Sequence, residues 1–204
     1  MARRPPLARS TALWGLSAIC LLVTALGTFS VLNPDFHLLD DHISKLGALG
    51  QPYATGWNLV GFMGVGALVT AFGFSYGRYL GDGVVGTLLA LFGIGLAATA
   101  VPVDLNDDAS GLSKIHVVAI CIGLGAYMFS LARLAHRATY GRSVHRAANM
   151  SAGLLGLVLV GSALQLWSIP IAHRLVFLVV FGWMGYTSLQ LLRESPSEPG
   201  PATP

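Results

Sequence analysis

The sequence predicts an all-α, polytopic integral membrane protein with six transmembrane helices in one bundle and a short outer interfacial helix between the first two. Composition is the first reason: 54% of the 204 residues are hydrophobic and 10% are charged, with a mean hydropathy of +0.67. A soluble domain carries about 25% charged residues, so this chain has lipid as its main solvent. The second reason is that six stretches approach the roughly 20 apolar residues needed to cross a hydrocarbon core about 30 Å thick. Lipid offers backbone groups no water, and the spans carry few strand formers, so each is expected to be helical.

Residues 1–10, MARRPPLARS, form a basic N-terminus, followed by a first span from Thr11 to Leu32. That apolar run exceeds the roughly 7–15 residues of a signal-peptide core, so it reads as a retained signal anchor. The outer connection holds LLDDHISKLGALG, Leu38 to Gly50. Read as a helix, it puts Phe36, Leu39, Ile43 and Leu46 on one stripe and His37, Asp40, Asp41, Ser44 and Lys45 on the rest. Such a segment would lie in the interface, apolar face down, until Gly47 and Gly50 end it. The second span runs from Trp57 to Tyr76, and GRYLGDG makes a tight hairpin into the third, Gly83 to Val101. The fourth, fifth and sixth are Ile115 to Ala132, Met150 to Trp167 and Ile171 to Leu192. The membrane domain thus covers 11–193. Residues 194–204, rich in Pro and Ser, read as a disordered cytoplasmic tail.

Charge gives the orientation. With the N-terminus in the cytoplasm, nine basic residues fall inside (Arg3, Arg4, Arg9, Arg78, Arg133, Arg137, Arg142, Arg146, Arg193) and three outside (Lys45, Lys114, Arg174). That split obeys the positive-inside bias and places both termini in the cytoplasm of a bacterial cell. Asp35, Asp40, Asp41, Asp104, Asp107 and Asp108 fall outside. The pI near 9.1 therefore reports topology and attraction to anionic lipid, and no nucleic-acid partner is expected. Cys20 and Cys121 lie inside spans and read as buried small apolar residues. Closely spaced glycines such as Gly61, Gly64, Gly66, Gly93 and Gly95 read as helix-packing surfaces, and Trp57 and Trp167 as interfacial anchors.

Polar residues gather at the outer helix ends. Asn58 lies just inside the second span, Asp104 follows the third, His116 opens the fourth, and His173 and Arg174 open the sixth. With Ser44, Asp40 and Asp41 they form one layer at membrane depth, where an ionisable residue is by default a functional hypothesis. No metal is assigned: His37, His42, His116 and His173 are all outer, but HExxH and clustered cysteines are missing, and His37 and His42 lie off a common helix face. The chain also lacks a GxSxG elbow, a Walker loop and a dinucleotide fingerprint. It names no cofactor.

HISKLGALG, GWNLVGFMGVG, GIGLAATAVPVD, KIHVVAI and HRLVFLVVFGW together resemble the bacterial and archaeal membrane-protein family called domain of unknown function 998. The resemblance runs from about Phe36 to Arg193. It implies a six-helix membrane fold and puts Ser44, Asn58, Asp104, His116 and Arg174 on the family's recurrent polar positions. Lys45 departs from the acidic residue expected after the motif serine. The resemblance supplies no reaction.

Two classes of function fit the outer polar layer. One is an enzyme acting on a membrane lipid or isoprenoid-like substrate, with Asp104, Asp41, Asp40 and His116 as acid and base. In it, Arg174 would hold a phosphate or developing anion, and Ser44, Asn58 and His173 would help bind the substrate. Hydrolysis or transfer at a head group, and acid-initiated cyclisation or isomerisation of a polyprenyl chain, are the chemistries that suit it. The other is a non-catalytic lipid-binding, transport or assembly protein. Transport is disfavoured because no ionisable residue is expected near the bilayer midplane.

Overall fold

A computed structural model describes residues 5–107 and 109–194. The expectations for residues 1–4, for Asp108 and for the tail from residue 195 lie outside the described residues. Among those residues the chain is helical with no strand.

The long helices are α1 (Pro5–Leu32), α2 (Ala54–Leu80), α3 (Gly83–Ala98), α4 (Gly111–His136), α5 (Arg142–Ala163) and α6 (Ile169–Glu194). All except α3 are long and apolar enough to cross a membrane. The 16 residues of α3 rise only about 24 Å at 1.5 Å per residue. Local chemistry sets the ends. Proline opens α1, where an N–H would be unpaired anyway, and Pro34 follows its last residues. Gly81, with φ at 67°, closes α2 and donates its N–H to the Arg78 carbonyl. Asp82 then caps α3 by accepting from the N–H groups of Val84 and Val85, and Ser110 caps α4 by accepting from Ser113.

Hydropathy finds all six helices but misplaces several ends. The fifth begins at Arg142, eight residues before the predicted span, because nothing in RSVHRAAN breaks a helix. The interfacial helix is a larger correction. Residues 35–41 form turns, and only Ile43–Gly47 coils, as a single 3₁₀ turn. Phe36, Ile43 and Leu46 are buried as the stripe predicted, but Leu39 is 65% exposed. The segment folds down onto the bundle as a roof.

The helices form a closed ring: each packs on its neighbour in sequence, and α1 closes against α6. Apolar side chains gain no hydrophobic drive by leaving lipid for a helix partner, so close packing must hold the ring. Glycine permits it. A Cβ on Gly77 would stand 2.4 Å from the Gly86 Cα, and one on Gly95 would stand 2.7 Å from the Gly123 Cα. Gly66 and Gly93 meet the facing helix in the same way. Gly61 instead accommodates the Trp57 ring. Interhelical hydrogen bonds add to the packing, between Thr11 and Ser75 hydroxyls at 2.6 Å and between Tyr127 and Ser151 hydroxyls at 2.9 Å.

Two burial expectations fail. Cys20 and Cys121 are exposed on the outside of the ring, because a helix apolar all round carries no stripe that marks its inner face. Trp57 is 0% exposed and packs beneath the roof, edge-on to Phe29 and Phe62, so it is a core residue and not an interfacial anchor.

The ring has two unlike ends. At the basic end, Asp82 is 3% exposed and accepts hydrogen bonds from Arg133 Nε at 2.9 Å, from Arg137 and from Tyr140 at 2.6 Å. Burial alone would raise the Asp82 pKa. The Tyr140 and Arg133 hydrogen bonds outweigh it and hold the carboxyl well below the usual carboxylate range. Above this latch, an aromatic plug fills the ring. Phe72 stacks on Tyr76, and Trp183 meets Phe72, Tyr76 and Tyr127 edge-on.

Candidate functional site

Beyond the plug, toward the acidic end, the ring is hollow. A cavity of about 240 Å³ lies under the roof. Phe62, Leu96, Phe177 and Phe181 are among the residues that make it apolar. Ser44, Thr99, His116, Ser162 and His173 are its polar lining, and no Asp, Glu, Lys or Arg among the described residues lines it. Ile120, Leu159 and Ile169 line the cavity and are 37%, 37% and 58% exposed. The wall from α2 is irregular. Residues Asn58–Gly64 form a π segment that includes Phe62, and such bulges frequently occur at functional sites.

The roof is tied down at three points. Arg174 donates through Nη2 to the Asp41 carbonyl at 2.7 Å, Asn58 Nδ2 donates to the Gly47 carbonyl at 3.0 Å, and the Leu49 N–H donates to the Val103 carbonyl at 2.9 Å. Gly47 is required here, since a Cβ on it would stand 1.9 Å from Asn58 Oδ1. Beside the Arg174 tie, His42 Nδ1 lies 3.4 Å from His173 Nδ1, so one imidazole donates and the other accepts.

The predicted site residues divide into three groups. Ser44, His116 and His173 come together in the cavity lining. His116 is 4% exposed, and its Nδ1 donates to the Val101 carbonyl at 3.0 Å, with the Thr99 carbonyl also near the ring. Arg174 and Asn58 position the roof. Arg174 Nη1 donates to the Pro170 carbonyl at 2.7 Å, so both its terminal nitrogens serve carbonyls. The carboxylates stand apart from the lining. Asp40 is exposed, and Asp41 accepts from Lys45 Nζ at 2.8 Å and from the His37 N–H at 2.7 Å. Burial raises the Asp41 pKa, but these partners more than reverse that and leave it lowered. Asp104 accepts from the Asn106 N–H at 2.9 Å, closing its own turn, while its N–H is bonded to Ser113 Oγ at 3.1 Å.

The sequence reading omitted Thr99, Ser162 and the aromatic wall, for which a single apolar span gives no inward mark. It also passed over the Asp82 latch. The signal was present there: an aspartate in a cap position, and two arginines four residues apart at the end of α4.

A ring of long apolar helices around a largely apolar cavity defines a membrane-protein-like helical bundle. The chain belongs to the family described as protein of unknown function (DUF998), whose model matches residues 16–190. No curated protein and no solved structure matches it.

Proposed function

We propose that the protein is a multi-pass protein of the bacterial cell membrane that holds the apolar chain of a lipid or isoprenoid-like molecule in its cavity. In this reading all six helices span. The short α3 completes its crossing with the turn at residues 99–101, and the basic end with both termini faces the cytoplasm. The observation that carries the reading is the cavity itself. It offers an apolar interior at lipid depth and a rim of residues exposed to lipid, which suits entry from the bilayer. An isoprenoid-like probe with an in-chain diazirine tests it. Photolabelling is expected on Phe177 and Phe181 inside the cavity. Label confined to outward residues such as Phe129 and Leu178, 71% and 69% exposed, would sink the reading.

One observation favours a catalytic version. Val101 fixes the orientation of His116, and an oriented imidazole is the usual device of acid–base chemistry near neutral pH. Here His116 would move the proton, His173 and Ser44 would hold the reacting head, and Asp40, Asp41 and Asp104 would shape roof and turn without reaching the substrate. His116→Gln, which retains hydrogen bonding but cannot titrate, is expected to keep photolabelling and lose turnover of the bound probe. Unchanged turnover in that variant would refute His116 as the proton carrier.

A further inference from the structure

The chemistry of the mouth goes further and selects the head of the bound molecule. Resting on the reading of the cavity as a lipid site, we infer that its ligand is an uncharged lipid alcohol, an isoprenoid or acyl chain ending in a free hydroxyl, and not a phosphate or diphosphate ester.

Charge is the first argument. A phosphate needs cations with free donors, and none of the described residues that line the cavity is a Lys or Arg. Arg174 serves the Pro170 and Asp41 carbonyls, and Lys45 Nζ serves the Asp35 carbonyl at 2.9 Å and the Asp41 carboxylate at 2.8 Å. Turning Arg174 Nη2 toward a ligand would undo one of the three roof ties.

Hydrogen bonding is the second. Ser44 and His173 line the cavity next to the His42 contact. A hydroxyl both donates and accepts, as do serine and neutral imidazole taken together, so it can bond to this pair whichever histidine tautomer is present. With His173 Nδ1 turned to His42, the other ring nitrogen is the one left for a ligand. An ether can only accept and satisfies fewer of these groups.

Size is the third. At roughly 30 Å³ for each water-sized group, 240 Å³ holds about eight non-hydrogen atoms. That is most of a ten-carbon isoprenoid, and a longer chain would leave through the rim at Ile120 and Leu159.

Three tritiated probes sharing one chain separate these arguments: geraniol, geranyl methyl ether and geranyl phosphate. Saturable binding to the full-length protein in phosphatidylcholine nanodiscs is measured over protein-free discs. Geraniol is expected to bind about tenfold more tightly than either analogue, the factor set by roughly one hydrogen bond or one uncompensated charge. His173→Phe keeps the ring volume and should reduce geraniol to the level of the ether. Ser44→Ala should move it the same way if the first variant fails to assemble. Geranyl phosphate binding as tightly as geraniol would overturn the uncharged head, and equal binding of alcohol and ether would overturn hydroxyl recognition. In both cases the lipid cavity would stand. No saturable binding of any probe would overturn the cavity reading and the inference with it.

Discussion

Asp82 joins the start of α3 to α4 and to the loop after it through one carboxylate, and its two roles separate by substitution. One oxygen caps α3, accepting from Val84 and Val85 at 3.0 and 3.2 Å, and the carboxylate as a whole pairs with Arg133 and Arg137. Asp82→Asn keeps a cap acceptor and removes the charge. Removing one member of a fully buried pair costs about 3–5 kcal/mol. The arginine side chains are 36% and 40% exposed, so they can regain water, and about 1–2 kcal/mol is expected instead. Asp82→Ala also removes the cap, for roughly 1 kcal/mol more. Reversible unfolding in mixed micelles of increasing SDS content would measure both. The pH dependence supplies a second check. Because the folded carboxyl titrates below its ordinary value of 3.8, its contribution is complete above that pH and is lost as pH falls through the lowered folded value. The gap between wild type and Asp82→Asn should therefore be constant from about pH 7 to 5 and shrink below about 4. A gap that is absent at pH 7, or unaltered on acidification, would refute the latch.

Tyr140 gives the alkaline counterpart. Burial first, and then the hydrogen bond to Asp82, push its pKa up to about 12, so its contribution is present below the ordinary value of about 10 and is lost as pH rises toward 12. Tyr140→Phe should flatten that alkaline loss in the same unfolding assay. Single introduced cysteines test topology in intact cells: position 107 should label from outside and position 140 should not, and the reverse result would invert the orientation. Gly77→Leu should destabilise by about 1–3 kcal/mol through overpacking against Gly86, while Gly125→Leu, with nothing within 4 Å of its Cβ site, should be nearly neutral in a melting measurement.

The two ends of the ring explain why the cavity lies where it does. At the basic end, Asp82 binds Arg133 and Tyr140, and beside the aromatic plug of Phe72, Tyr76, Tyr127 and Trp183 lies a pocket of about 50 Å³, much smaller than the cavity under the roof. At the acidic end, polar side chains bind backbone carbonyls of loops. The roof is thin there, a single 3₁₀ turn with Ile43 and Leu46 beneath it. A side chain on that turn fills less of the ring than a helix turn bearing a tryptophan would, and Thr99 and His116 spend their polarity on nearby carbonyls. Space under the roof is the geometric result.

Much of this was legible in the chain, and the exceptions share a cause. The long apolar helices were legible because lipid imposes length and apolarity. Of the polar residues singled out from the chain, Ser44, His116 and His173 line the cavity, Asn58 and Arg174 tie the roof, and Asp104 closes its own turn. Inside and outside within a span were not legible, as Cys20, Cys121 and Trp57 show, since lipid and protein interior select the same residue types. Arg174 is the instructive case. An anion clamp and a roof tie both call for arginine at that depth, so residue type cannot separate them. Reach does. Pro170 lies four residues earlier, at the start of α6, and its carbonyl is within range of one terminal nitrogen. The other then points across the mouth to a roof segment whose turns leave the Asp41 carbonyl without a helical partner. Once a loop places a free carbonyl opposite a helix end, a half-buried guanidinium within reach bonds to it, because leaving that pair unmade would be the costlier state.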